Sequence, residues 1–277
     1  MKNILLLPAV IFFLLFTLWP LGEVMYLSLL KTNFITTSFI GFQNYIDLLS
    51  DKVFIQSFFN SVFYALLLVP GQILLSLIMS LSIYNLSKKW QDISRIIFYI
   101  PVLAGGIILG FIWKWIFHVD GLVNYLLGFL SVDKIFFFSN TITSIPIVSL
   151  IVLITSFGAN VIIVIANILS IDKTIFEAAK IDGASQFQIN VFIIIPMIKK
   201  TLQLIGLLAI IASFQIFENI YVLVPQSFAA TMTYEIYRTS FKNSKYGLAS
   251  AMAIILLIII IIISLIKRRI ESGNESV

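Results

Sequence analysis

The chain has 277 residues, 60% of them hydrophobic and only 11% charged, with a mean hydropathy of +1.06. A soluble domain is about 45–50% apolar and about 25% charged, so this composition belongs in a lipid bilayer. The net charge of +5 comes from 18 Lys and Arg scattered between apolar blocks, a topology signal and not a nucleic-acid surface, and with no Cys and one His the residues for thiol, metal or Ser-His-Asp chemistry are missing.

Taken in chain order, the first apolar block runs over about 4–30. Its basic start at Lys2 resembles a signal peptide, but the stretch continues through Trp19 to Leu30 without a small-x-small cleavage site. It is long enough to span and is expected to be an uncleaved first helix. Five further blocks follow, at about 57–86, 95–117, 143–169, 201–224 and 246–266. Each supplies the roughly 20 apolar residues that a bilayer core requires. Pro20, Pro70, Pro101 and Pro146 fall inside or near the ends of these blocks, where a membrane helix kinks rather than stops.

The fold class expected is therefore all-α and polytopic, a single membrane domain over 1–277 with six transmembrane helices and both termini cytoplasmic. The orientation comes from the Lys and Arg distribution. It places Lys2, Lys88, Lys89, Arg95, Lys173, Lys180, Lys199, Lys200, Lys267, Arg268 and Arg269 inside. Lys31, Lys52, Lys134, Arg238, Lys242 and Lys245 fall outside, and Lys114 snorkels near the outer end of the third span. Three basic residues in the last outer loop pull weakly the other way.

Between the fourth and fifth spans lies the most polar long connection, a loop over about 170–200 that includes EAAKIDGASQFQINVFIIIP at 177–196. TIFE at 174–177 fits a Thr-x-x-Glu capping box and SQFQ at 185–188 fits a second. Asp182-Gly183 ends the first short helix, because glycine takes the left-handed conformation at little cost. Pro196, before Lys199 and Lys200, marks the return to the membrane. A helix-turn-helix projecting from the inner face is expected, with Ala178 and Ala179 at its exposed elbow. It reads either as an amphipathic loop lying on the headgroups or as a docking knob whose small side chains admit a partner's groove.

EAA at 177–179, Gly183 and Ile193-x-Ile195-Pro196 together resemble the EAA loop of bacterial ABC importer permeases. FIGFQNYIDLLSD at 39–51, FYIPVLAGGIILGFIWKWIF at 98–117, SFQIFENIYVL at 213–223 and IYRTSFKNSKYGLASAMA at 236–253 are similar to the sugar and glycerol-phosphate branch of that family, of the maltose-permease large-subunit type. The chain departs from the pattern at Asp172, where the family usually has proline, at Ile195 in place of leucine, and at VPQSFAAT in place of a glycine-rich stretch. The resemblance implies a type I ABC importer permease fold. The partners it implies are a second homologous permease, two ABC ATPase subunits and an extracellular or periplasmic sugar-binding protein. It makes Glu177, Ala178, Ala179, Asp182, Gly183 and Pro196 the ATPase-coupling loop. No G-x-x-x-x-G-K-[ST] phosphate loop occurs in the sequence, so ATP is not used through that motif here. No cofactor is expected.

Polar side chains inside spans are expensive and carry a functional expectation. In the fifth block Gln215, Glu218 and Asn219 are spaced i, i+3 and i+4, with Phe214 and Tyr221 nearby. Counted along an unbroken helix from about 201, Glu218 stands about 25 Å up. Gln215, Glu218, Asn219, Tyr221 and Asn160 form the expected substrate pathway: amides and a carboxylate for hydroxyl groups, an aromatic face for sugar C–H surfaces. The other reading is that these amides tie helices together, and it is preferred for Gln72 and Asn167. The segment 231–247, with Tyr234, Tyr237 and Phe241 at helical spacing, is either an interfacial anchor or a contact for the binding protein.

Two other classes of function compete with a permease subunit of a sugar importer. An ion-gradient-driven secondary transporter or channel subunit wants carboxylate or His relays and often an internal repeat. No repeat is evident, and Glu23 and Glu218 are the intramembrane acids. An intramembrane enzyme needs a paired acid, a His cluster or a nucleophile with its base, and the sequence offers none in the spans.

Overall fold

A computed structural model describes residues 6–33, 35–224 and 227–273. Lys2, positions 4 and 5 of the expected first span, and Pro225 and Gln226 lie outside the described residues. In chain order the elements are α1 (Leu7–Ser28), β1 (Leu30–Thr32), β2 (Thr37–Phe39), α2 (Gln43–Ser50) and α3 (Lys52–Ile83). There follow α4 (Lys88–Leu103), α5 (Gly106–Ile116), α6 (Leu122–Gly128), α7 (Thr141–Leu169), α8 (Lys173–Ile181) and α9 (Gln186–Met197). The last four are α10 (Lys199–Phe214), α11 (Glu218–Leu223), α12 (Met232–Tyr237) and α13 (Tyr246–Gly273). Among the described residues α1, α3, α7, α10 with α11, and α13 are long and apolar enough to cross a membrane. The pair α4 and α5 makes a sixth span if counted as one. The protein is an all-α polytopic membrane protein.

Two of the spans read as continuous in the sequence are broken. The block at 95–117 is two helices meeting at 90°, and the first of them starts already at Lys88. Pro101 cannot donate a helical hydrogen bond, and Gly105 at φ +74° takes a conformation closed to most residues. The block at 201–224 stops at Phe214, turns through Gln215 to Phe217 and restarts at Glu218. In α1 the turn Leu14–Leu18 opens to π geometry just before Pro20, whose missing N–H leaves the ladder a gap to absorb.

The chain divides into two compact units, residues 1–59 with 230–277 and residues 60–229. In the first, α13 packs on α1 and on the β1–β2 hairpin. Asn44, buried on α2, donates to the carbonyls of Ser28 (2.8 Å) and Leu30 (2.9 Å) and so closes the C-terminal end of α1. Tyr45 adds a bond from its hydroxyl to Ser28 Oγ at 2.7 Å. Near the N-terminal end of α13, Arg238 clamps the buried Glu235 carboxylate with two bonds of 2.9 and 2.8 Å. Tyr234 is fully buried in α12 while Phe241 is exposed, so the aromatic row of this segment is divided between core and surface.

In the second unit α7 is the central helix. Gly158 lets α4 cross it so closely that the Phe98 carbonyl occupies the space a side chain would need. Asn160 donates to Gln72 Oε1 (2.7 Å) and Gln72 donates to Ser156 Oγ, tying α7 to α3. Toward the end of α7 lies a core of Tyr84, Val164, Ile168, Ile171, Ile189, Ile194, Ile198 and Ile205, with Phe176, Ala179 and Ala184 packed on it. An isoleucine withdrawn from water contributes about 1.5–3 kcal/mol. The isoleucines from α9 and the turn after it therefore anchor the whole 170–200 connection to the end of α7.

Candidate functional site

The polar connection folds into a helical elbow, α8–turn–α9. The first helix is capped two residues earlier than the Thr174–Glu177 box would place it. Asp172, with extended backbone, is the N-cap, and its carboxylate accepts from the Thr174 N–H at 2.9 Å. That bond holds the Asp172 carboxyl below the usual carboxylate range. A short carboxylate is as good an N-cap as Ser or Thr, and Asp172 stands one residue before the helix. The position where the sequence leaves the family's proline pattern therefore has its own structural task.

The elbow itself is a Schellman turn. Gly183, at φ +80°, donates to the Lys180 carbonyl (3.1 Å), and Ala184 donates to the Ala179 carbonyl (2.9 Å). Ser185 then starts α9 with a reciprocal box. Gln188 N–H donates to Ser185 Oγ (3.3 Å) and Ser185 N–H to Gln188 Oε1 (2.7 Å). The turn is thus closed on both sides, by backbone bonds at the end of α8 and by the Ser185 and Gln188 side chains at the start of α9, which leaves the elbow little freedom.

The two alanines do not share an environment. Ala179 is half-buried on the core that holds Ile189 and Ile194, while Ala178 is exposed beside Glu177. Asp182, Gly183 and Pro196 are exposed as well. The outward surface also carries two large apolar side chains that the motif does not include, Ile181 at 86% and Phe187 at 72% exposure. Ile181 stands three residues after Ala178 and so shares its helix face, a spacing visible in the sequence. Small residues, two apolar knobs and alternating charge on a rigid turn form a surface suited to a protein groove.

The polar group of the fifth block is arranged differently from a helical stripe. Gln215 closes α10 and Glu218 opens α11, so Gln215, Glu218 and Asn219 do not lie on one continuous helix. Gln215 and Glu218 are exposed, Asn219 is half-buried, and Tyr221 stacks on Phe217 with ring centroids 5.7 Å apart. Glu218 lies directly over Gly106, the first residue of α5, and Val222 faces Gly110. The two half-helices α5 and α11 therefore run side by side in the same direction from neighbouring breaks. Asn160 is engaged elsewhere, in the amide pair with Gln72. Among the described residues no group of three His, Asp or Glu is placed to hold a metal ion.

A multi-span helical membrane protein with broken spans and an elbow between them is an architecture compatible with a transport component. The chain belongs to the family of binding-protein-dependent transport system inner membrane components, matched over residues 58–275. It is thus a multi-pass component of the inner membrane. It is similar to the probable ABC transporter permease protein YurN of Bacillus subtilis, 28% identical over 98% of this chain and 96% of that protein. The sulfoquinovosyl glycerol transport system permease protein SmoG of Agrobacterium fabrum is 26% identical over 96% and 89%. Among solved structures, a bacterial ABC transporter involved in the import of the acidic polysaccharide alginate has a chain that aligns at a TM-score of 0.81. That chain is 25% identical, over 97% of this chain and 95% of its own length.

Proposed function

We propose that this protein is one permease subunit of an ATP-driven, binding-protein-dependent importer for a sugar or oligosaccharide. It forms half of the translocation pathway beside a second, related permease. Two separate ATPase subunits supply the energy and an extracellular or periplasmic binding protein delivers the cargo. The observation that carries the reading is the elbow, which is fixed to its own core through Ala179 and Ala184 and leaves Glu177, Ala178, Asp182 and Gly183 outward. A surface held this stiffly can pass a push from a partner into the spans. The absence of a phosphate-loop motif in the sequence puts ATP chemistry on the partners. Both termini and the elbow are then cytoplasmic. A carbohydrate cargo is favoured because SmoG is named for sulfoquinovosyl glycerol and the alginate transporter for a polysaccharide.

In this reading Gln215, Glu218 and Asn219 line the pathway at the break, and Tyr221 offers its exposed ring to sugar C–H groups. Asn160, half-buried on α7, donates to Gln72 and so ties two helices while it stays among the proposed pathway residues. The test is isolation of the tagged chain from its native membrane in mild detergent, with mass spectrometry of what accompanies it. Co-isolation of an ATPase subunit and a second six-span protein is the expected result. A chain that comes out alone, from cells whose uptake collapses with an ionophore while ATP stays high, would overturn the reading in favour of an ion-driven transporter.

A further inference from the structure

We infer that Tyr84 is a positioning residue that carries displacement of the elbow into the bent span α4–α5. The inference rests on the reading of the elbow as an ATPase dock. Tyr84 follows the last residue of α3, and three elements converge on it. Its hydroxyl donates to Asn190 Oδ1 of α9 at 2.8 Å and accepts from Gln186 Nε2, also of α9. Gln186 donates to Asn190 Oδ1 as well, at 3.0 Å, so the three side chains close a ring. On its other side the Tyr84 carbonyl accepts from Gln91 Nε2 of α4 at 2.8 Å, and the same amide reaches the Leu86 carbonyl at 2.9 Å.

Tyr84 is only 9% exposed and sits in the core with Ile168, Ile189 and Ile194. Packing fixes the ring, and the hydrogen-bonded ring fixes α9 to it, so α9 cannot shift without moving Tyr84. Gln91 hands that movement to α4. From there the chain leads through the bend to Gly106, which lies under Glu218 at the break of the fifth block. The side chains that dock and the carboxylate proposed to meet cargo are thus joined by a run of contacts within one compact unit. Geometry alone does not make such a path a coupling route; a route is shown by how its links combine when cut.

The chain contains no cysteine, so Leu103→Cys, at the exposed end of α4, gives it a sole thiol. The whole assembly is purified in detergent and treated with a fluorescent maleimide, with and without ATP and vanadate, and the label is read in this chain's gel band. Nucleotide is expected to change the labelling rate in the parent. Tyr84→Phe, which keeps the ring and removes the hydroxyl, is expected to shrink that change about three- to tenfold. Gln91→Leu shrinks it by the same factor, and the double variant is no worse than either, because both cut one series path. ATPase retention and labelling without nucleotide stay unchanged, which a loss of folding would not allow.

Three results would each overturn the inference. They are a nucleotide response surviving within about twofold in Tyr84→Phe, losses that multiply in the double variant, and a parent that does not respond. Ala178→Leu separates the two levels. If it too retains ATPase and response, the docking reading is at fault; if it loses both while Tyr84→Phe keeps both, only the role of Tyr84 fails.

Discussion

Ala178 and Ala179 stand next to each other on α8 with opposite surroundings, so the same substitution made at each separates docking from folding. At Ala178 the three added carbons enter solvent, and leucine is nearly as good a helix former as alanine. Ala178→Leu should change the stability of the isolated chain by less than about 0.5 kcal/mol. In a partner's groove shaped for a methyl group the same atoms are overpacked at about 1–3 kcal/mol. That corresponds to a loss of about five- to hundredfold in bound ATPase subunit. At Ala179 the overpacking falls on the chain's own core around Ile189 and Ile194, so the isolated protein itself is destabilised by about 1–3 kcal/mol. The assay is thermal unfolding of each purified variant in detergent beside quantification of ATPase subunit retained through affinity isolation. Ala178→Leu should melt like the parent and lose its ATPase; Ala179→Leu should melt early. An Ala178→Leu chain that holds ATPase as well as the parent would refute the assignment of this face to docking.

Gly183→Ala should cost the elbow about 1–2 kcal/mol, since φ +80° penalises a Cβ while the space around it is open. Gly183→Asn should cost less, and Gly183→Pro should cost most because the bond to the Lys180 carbonyl is lost too; limited proteolysis within 180–186 ranks the three. Gly158→Val should cost more than about 3 kcal/mol, because the Phe98 carbonyl has nowhere to go, and is read as a loss of folded protein on size-exclusion chromatography. The Asp172 cap should fail in acid. Its carboxyl is held below the usual range by the Thr174 N–H, so the stabilisation is full above the ordinary carboxylate pKa and is lost as pH falls through the lowered value. Amide exchange at Thr174, corrected for its intrinsic rate, should accelerate below about pH 4, and Asp172→Asn should abolish the pH dependence while keeping the cap.

The elbow was legible because its punctuation is local. A left-handed residue after a short amphipathic helix selects glycine, and the Ser185–Gln188 box needs only the four residues that form it. What the sequence concealed there was which way the helix faced. The difference between Ala178 and Ala179 is one residue's rotation of about 100°, decided by isoleucines of α9 and the turn after it that meet α8 only in the folded chain. The N-cap was misplaced for a related reason: Thr174 with Glu177 and Asp172 alone both satisfy the local pattern, and the backbone angle at Asp172 chose between them.

The broken spans were hidden for a deeper reason. Hydropathy measures oil averaged over a window, and both blocks stay apolar enough on average to read as continuous; Ala104, Gly105, Ile216 and Phe217 within the breaks carry no polar flag. A break inside a bilayer is tolerable only where the freed backbone groups face protein or water. The two breaks lie beside one another, with Gly106 under Glu218 and Gly110 against Val222. Neither glycine can be read as significant from its own span, because each is explained by a side chain more than a hundred positions away. Gln215 and Glu218, spaced as one helical face in the sequence, are instead the C-cap of one helix and the first residue of the next. In this chain the polar pair inside the apolar block marks the place where the span comes apart, and under the proposed pathway it is at that gap, not along a stripe, that a hydroxyl-rich cargo would find the carboxylate and the amide together.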